Sequence, residues 1–393
     1  MWLQETYNVK LHQIQKGDWG SNPTELVNFV SAPDDTLCLY IIEPGSTLTQ
    51  INNGTVRTFS DLGLDLTADK WNQADLEFAS KGGQVYGLYA GKTEPRQCLY
   101  FNKRVLTEAG IDYEKELYDA VENGEWTWDK YIAMLDKITR DTDNDGVIDI
   151  WGVTGDANDM YFISVFSNGG SFFKFDENGK IQPAMEDGSN TIDALNWARD
   201  EIYFKYFYQQ PADGQWDYYK EAFKQGNIGF YQYQTYGGFN DGAELADAEP
   251  WGMVPFPVPN AGDPYITIAS DNFTVMPNVY DDETAKKLAF IYDLWTNPTP
   301  GYEDEDDNWI GNKYNFTDER AVDVSYAMLR EHGVTNLALL LGTLNDVLGA
   351  PLTWNLGWQT PAEAFDASRI AWQNMCNLYN GDPLIEAEPA PAE

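Results

Sequence analysis

Apolar residues along this chain either alternate with polar ones or recur every three to four positions. The two patterns follow each other in an order that predicts helices and strands in alternation. The opening WLQETYN has the look of a helix end, and VKLHQIQ (9–15) alternates as a strand does. Asn22, Pro23 and Glu25 mark a helix start as cap, first-turn proline and third-position acid, after which Leu26, Phe29 and Val30 share a face. TLCLYII (36–42) is an uninterrupted apolar run, the pattern of a strand covered on both faces, and it stops at Glu43, Pro44 and Gly45. With VYGLYAG and QCLYFNK continuing the alternation, a mostly parallel sheet in an α/β lobe is expected. Ligands of such sheets sit beyond the carboxyl ends of strands, which marks Tyr40, Glu43, Tyr89, Glu94 and Arg96.

Further on, Thr127 caps a helix in which Trp128, Tyr131, Ile132, Leu135 and Ile138 recur at helical spacing. SFFKF and KIQPA flank Asp176–Gly179, whose Asn-Gly pair signals a hairpin, and a long helix is expected around Thr191–Phe207. GNIGFYQYQTYGG is a strand with Tyr231, Tyr233 and Thr235 on one face and Phe230, Gln232 and Gln234 on the other. The proline-rich WGMVPFPVP that follows looks like a stiff strap between lobes. Residues 265–277, which include Asp271, form another strand pattern, and Asp281 or Asp282 caps a helix carrying Leu288, Ile291, Tyr292 and Trp295. PGYEDEDDNWIGN reads as a solvated acidic loop, Asp318 as a helix start, and Thr360, Pro361 and Glu363 as a capping box. Phe365, Trp372, Cys376 and Tyr379 lie on one face of the last helix, Gly381 ends it, and the tail EAEPAPAE lacks any apolar periodicity.

Composition narrows what such a chain binds. Its 393 residues suggest two or three lobes, and 43% hydrophobic with 15% aromatic residues is ample for buried cores. The formal charge of −38 repels phosphate backbones and anionic membranes, so nucleic acid is excluded as a partner and neutral or cationic ligands are favoured. Three cysteines, Cys38, Cys98 and Cys376, do not make a disulfide framework, and two histidines, His12 and His332, supply neither a histidine zinc site nor a Ser-His-Asp triad. No apolar run reaches the ~20 residues of a membrane span. The chain starts at Met1 without a basic-then-apolar leader, so any export signal is expected to have been removed or never present.

One stretch dictates a chemistry by spacing. In DTDNDGVIDIWG, Asp141, Asp143 and Asp145 alternate, Gly146 follows, Val147 offers a carbonyl and Asp149 comes two further on, matching the first nine positions of a calcium loop. A hard cation needs several oxygens, and the glycine turns the backbone sharply enough to aim them inward. The twelfth position, a bidentate Glu in such loops, is Gly152, so a structural Ca2+ here needs a donor from elsewhere; the alternative is an acidic turn in solvent.

Several stretches together resemble the extracellular sugar-binding proteins of ABC importers, the group that includes maltose-binding protein. APDDTLCLY resembles that family's strand entry, and QCLYFNKRVLTEAGI with WTWDKYIAMLDKIT resembles a strand and helix of it. GGSFFKFDENGKI is similar to its hairpin, EAFKQGNIGFYQYQTYG to its later strand, WGMVPFPVPNAGD to a crossover and ETAKKLAFIYDLW to the helix after the return strand. The resemblance implies an α/β, two-lobed periplasmic-binding-protein-like (type II) fold with an interlobe cleft that closes on its ligand. It implies a first lobe of residues 1–95 plus 262–300, a second of 96–261 plus 301–385, and crossovers near Glu94–Gln97, Pro257–Gly262 and Pro300–Asn315.

The resemblance also implies site residues. Tyr236 matches a sugar-stacking aromatic, Tyr40 and Glu43 a first-lobe loop, Asp156 to Tyr161 a second-lobe loop, and Trp354 and Trp358 a late stacking region. Glu94, Arg96 and Asp271 complete the expected ligand contacts. The implied function is extracytoplasmic delivery of a neutral oligosaccharide to ABC importer membrane subunits by a monomeric carrier, with or without a lipid anchor, that is not an enzyme. An extracellular glycoside hydrolase and a peptide receptor of the same fold are the alternatives. The family's first strand has no counterpart ahead of WLQETYN, so the chain is expected to be shortened at that end or completed differently.

Overall fold

The computed structural model describes residues 2–17, 20–186, 188–238, 244–298, 301, 316 and 318–385. It divides into two compact units: Met1–Glu94, Ser270–Asp306 and Leu339–Thr343 form the first, and Pro95–Ala269, Asp307–Ala338 and Leu344–Glu393 the second.

The first unit is organised around the strand Phe273–Pro277, with Tyr40–Ile42, Gly87–Leu88 and Val56–Arg57 as its neighbours. All three pairings are antiparallel, which corrects the expected mostly parallel sheet: the central strand returns late in the chain and runs against every earlier one. Period-two alternation sends Phe273 and Val275 into one core with Leu26, Ile42 and Ile51, and Met276 into another with Phe59, Trp71 and Leu88. Ala285, Leu288, Ala289 and Tyr292 are the buried side of the helix Asp282–Trp295, whose cap Asp281 accepts from Thr284 N at 2.8 Å.

Two expected strands are overturned here. VKLHQIQ is not a strand; Leu11 and Ile14 stay exposed, because alternation without a neighbouring edge leaves the backbone groups to water. TLCLYII yields only Tyr40–Ile42, paired on one edge, with Leu37 and Ile41 exposed rather than covered.

The second unit carries a four-stranded sheet in the order Trp251–Val254, Gln97–Asn102, Ile228–Gln234, Trp151–Gly155. The first two pairings are antiparallel and the last is parallel. Phe230 packs against Trp126 and Tyr131 on one face while Tyr231 stacks on Tyr233 at 5.0 Å on the other, so the expected alternation holds. Thr127 caps the helix Trp128–Ile138, Phe173–Phe175 and Ile181–Pro183 form the hairpin, and Thr360 and Glu363 close a capping box on Pro361–Asn380.

The expected division of the chain also shifts. WGMVPFPVP is no strap between lobes: Trp251–Val254 is a sheet strand, Trp128 N donates to Val258 O (2.8 Å), and Gly262 N donates to Gly124 O (2.8 Å). Residues 262–269 belong to the second unit because Thr267–Ala269 pairs in parallel with Gly333–Thr335. Leu339–Thr343 joins the first unit, where the Gly342 carbonyl lies 3.2 Å from the place a Cβ on Gly45 would take. The expected crossover at 300–315 apart from Gly301, most of the acidic loop and the 386–393 tail lie outside the described residues. Among the described residues the three cysteines are unpaired with one another, and no helix is long and apolar enough to cross a membrane.

Candidate functional site

In the first unit the sequence-predicted residues divide into cap, rim and acid cluster. Glu43 stands at the cap of the helix Pro44–Asn52; its Oε1 accepts from Ser46 Oγ at 2.7 Å and its carbonyl from Thr47, so its polar groups are engaged in starting that helix. Tyr40 packs at the edge of the core beside Phe29, with ring centroids 6.0 Å apart, and burial raises its hydroxyl pKa. The Glu94 N–H donates to Asp271 Oδ1 at 3.1 Å. Asp271 is 2% exposed, and Asp75, which pattern reading missed, is 6% exposed beside it. Burial first and the Asp271 charge second push the Asp75 carboxyl up to about 8, and its Oδ2 finds no partner among the described residues. The Tyr89 hydroxyl, bonded to Asp271, is raised chiefly by burial and then by that same charge.

In the second unit the site grows from the end of the strand Trp151–Gly155. Gly155 has φ +153°, and a Cβ there would sit 2.2 Å from the Gln232 carbonyl, so only glycine lets this strand close against its parallel neighbour. The next residue, Asp156, caps the helix Ala157–Ser167 by accepting from Asn158 N at 2.8 Å. One turn on, Asp159 Oδ2 accepts from Gln234 Nε2 at 3.2 Å. Burial raises both carboxyls; for Asp159 the Asp156 charge adds to the rise, while Gln234 and the Arg96 charge oppose it. Arg96 lies at the start of the adjacent strand, where its N–H donates to Thr267 Oγ1 at 2.7 Å and its carbonyl accepts from Thr235 N at 2.8 Å.

That last bond holds the turn carrying Tyr236. Its ring is 38% exposed, set edge-on to Tyr233 at 5.5 Å, with the two hydroxyls 3.2 Å apart. The Tyr233 hydroxyl also donates to Glu244 Oε1 (3.1 Å), which receives Lys220 Nζ at 2.6 Å. Tyr236 therefore borders a set of polar groups, Gln234, Glu244 and Lys220, that spacing alone did not single out. The Thr353 hydroxyl donates to Asn158 Oδ1 at 2.5 Å, which ties the turn bearing exposed Trp354 to the Asp156 loop; Trp358 is exposed four residues later. Tyr161 goes the other way. It is 2% exposed and packs on Tyr203, because its position along the helix turns it into the core, so it offers no surface to a ligand. Asp159 had a legible signal, an acid three residues after a capping Asp; Gln234, Glu244 and Lys220 had none, since only the fold assembles them.

The candidate metal loop hangs between the helix Trp128–Ile138 and the strand Trp151–Gly155, closed by Arg140 N to Ile150 O (3.0 Å) and the reverse bond (3.1 Å). Oxygens of Asp141, Asp143 and Asp149 come within 4.8 Å of one another. Asp141 accepts from Asn144 N (2.7 Å) and Gly146 N (2.8 Å), with Asn144 at φ +62° and Gly146 at φ +92°. Asp145 turns its Oδ1 to Val147 N (2.8 Å), and the Val147 side chain is exposed. Hydrogen bonds from backbone N–H groups hold Asp141 below the usual carboxylate range, and bonds from Thr142 do the same for Asp149. Gly152 sits in a tight place: a Cβ there would lie 2.9 Å from Leu135 and Thr139 side-chain atoms, which would have to shift. The donor set, all hard oxygens on a tight turn, suits Ca2+.

No curated protein matches this chain in sequence. Among solved structures, an ABC substrate-binding protein of Listeria monocytogenes in complex with cycloalternan is similar at 16% identity and TM-score 0.65, covering 97% of this chain and 94% of that one. UgpB of Mycobacterium tuberculosis in complex with glycerophosphocholine is similar at 15% identity and TM-score 0.67, covering 96% and 93%. The cyclic alpha-maltosyl-1,6-maltose binding protein of Arthrobacter globiformis is similar at 17% identity and TM-score 0.64, covering 91% and 89%. These likenesses establish the fold, the two-lobed α/β architecture of type II periplasmic binding proteins. The model of one family, the bacterial extracellular solute-binding proteins, matches residues 60–290, more than half of the chain, and the protein belongs to that family.

Proposed function

We propose that this protein binds a neutral oligosaccharide outside the cytoplasm and delivers it to the membrane subunits of an ABC importer. The observation that carries the reading is the second unit's surface around Tyr236, where a partly exposed aromatic ring adjoins carboxylate, amide and ammonium groups. Sugars present apolar C–H faces that stack on such rings, and hydroxyls that both donate to carboxylates and accept from amides and lysine. Membership of the solute-binding family supports it, as do the cycloalternan bound to one similar structure and the naming of another as a cyclic alpha-maltosyl-1,6-maltose binding protein. The charge of −38 weighs against phosphate-bearing ligands, and so against transferring the glycerophosphocholine of the third. Arg96, Asp156, Trp354 and Trp358 are proposed as further contacts in this unit, and Glu94 in the first, where Asp271 is buried and holds the Glu94 N–H instead of meeting a ligand.

Calorimetric titration with a panel of neutral glycans tests the reading, and a flat response across the panel would count against it. Tyr236→Ala is expected to weaken a binding glycan about tenfold, the equivalent of one lost stacking contact, with the melting temperature unchanged. Loss of folding cooperativity would mark Tyr236 as packing instead. We read the protein as a carrier that leaves its ligand intact, and release of reducing sugar during incubation would overturn that. Ca2+ held by Asp141, Asp143 and Asp149, with the Asp145 side chain and Val147 carbonyl available, is proposed as a structural brace between helix and strand.

A further inference from the structure

The turn that carries Tyr236 is held by bonds between distant segments of the second unit. Thr235 N donates to Arg96 O (2.8 Å), and the Tyr100 hydroxyl donates to Thr235 O (2.7 Å) while accepting from Gly238 N (2.9 Å). The backbone on both sides of Tyr236 is therefore fixed.

Its hydroxyl is fixed as well, in the direction of its proton. Lys220 Nζ donates to Glu244 Oε1 at 2.6 Å, and a carboxylate paired with an ammonium has lone pairs to offer and no proton. The same oxygen stands 3.1 Å from the Tyr233 hydroxyl, so Tyr233 turns its single proton there. The Tyr236 hydroxyl lies 3.2 Å from that of Tyr233, and with the Tyr233 proton committed, the proton between the two oxygens belongs to Tyr236. The reverse order would set a carboxylate against the bare lone pairs of a phenol that is only 6% exposed, where little water is present to screen the repulsion. Each bond in the row thus points inward, from Tyr236 to Tyr233 to Glu244. What the Tyr236 oxygen keeps for a ligand is lone pairs alone.

We propose that Glu244 and Tyr233, with Lys220 behind them, are positioning residues that make Tyr236 a hydrogen-bond acceptor toward the ligand, so that the protein selects sugars with a free hydroxyl at the position meeting this oxygen. This rests on the carbohydrate reading and narrows it: a glycan whose oxygen there is methylated or acylated brings an acceptor against an acceptor, and is refused although its ring stacks equally well. A Tyr236 hydroxyl facing the other way would take such ethers and esters.

The experiment is calorimetric titration of the whole protein with a neutral glycan panel that includes maltose, cellobiose, mannobiose, lactose and xylobiose, then with the monodeoxy and monodeoxyfluoro forms of the disaccharide that binds, position by position. A deoxy sugar lacks both donor and acceptor, whereas the fluorinated one lacks only the donor. At one position the two analogues are expected to bind equally, each about tenfold more weakly than the parent. In Tyr236→Phe, which keeps the ring, parent and analogues at that position should bind alike, with the melting temperature unchanged. Tyr233→Phe frees the Tyr236 proton to point outward, and there the fluorinated form should bind better than the deoxy form. If no position shows an equal loss for both analogues that Tyr236→Phe abolishes, the relay is overturned and the carbohydrate reading stands. A flat response of the unaltered protein across the whole panel overturns both.

Discussion

The two units each hold a pair of carboxyl groups, buried in the first and partly exposed in the second, and the surroundings of the pairs differ. In the first, Asp75 and Asp271 are enclosed, with Asp271 held by Glu94 N–H and the Tyr89 hydroxyl. In the second, Asp156 and Asp159 lie at a helix start whose neighbours, Gln234, Tyr236 and the Trp354 turn, lead outward to exposed aromatic faces. Loss of water first, and a neighbouring carboxylate for Asp75 and Asp159, raises carboxyl pKa values in both, so a perturbed acid does not by itself mark a binding site. What separates the pairs is accessible aromatic surface beside the second, which gives a ligand something to cover.

The largest effect should come from the backbone under the second pair. Gly155→Ala places a methyl 2.2 Å from the Gln232 carbonyl and should destabilise by about 3 kcal/mol or more in denaturant titration, with binding lost alongside. Unchanged stability would mean that the Asp156 loop is not set by this close approach.

Next come the acids. The Asp75 carboxyl is raised above its unfolded value of 3.8 to about 8, so the folded state holds a proton there that the unfolded state has released. That contribution is fully present below pH ~4 and is lost as the pH rises to about 8, at up to about 1.4 kcal/mol per pH unit in the limit. Asp75→Asn should therefore gain in melting temperature over the unaltered protein between pH 4 and pH 8, level off above, and leave glycan affinity alone. Asp159→Asn, whose carboxyl is raised in the same direction, should gain stability with the same sign and weaken glycan binding as well. Equal effects of the two on affinity would erase the distinction between the pairs.

The smallest effect is expected from the metal loop. Chelation should lower the melting temperature by a few degrees through loss of binding free energy to the folded state, without changing which glycans bind. Abolished binding at a temperature where the fold survives would place the loop in the site.

Much of this is legible in the sequence. The capping box at Thr360–Glu363, the Thr127 and Asp281 caps, the Asn-Gly hairpin and the alternation through Ile228–Gln234 all stand where local pattern put them, because each depends on neighbours within a few residues. The failures share a cause too. VKLHQIQ has strand alternation and no edge to pair with, WGMVPFPVP has the stiffness of a strap and is used within one unit, and Tyr161, expected to meet a ligand, is turned into the core by its place on the helix.

By itself the sequence determined the family, the acidic exterior that disfavours anionic ligands, the oxygen-rich loop at Asp141–Asp149 and the aromatic richness of residues 218–259. These rest on residue identity and short spacing, which chain order alone preserves. Only the tertiary structure decided that Asp75 meets Asp271, that Gln234 meets Asp159, and that Lys220 stands between Trp216 and Tyr233. Such partners come from different segments, and which of many acids, amides and rings converge is set by sheet register and helix rotation, where a shift of one residue turns a side chain to the opposite face.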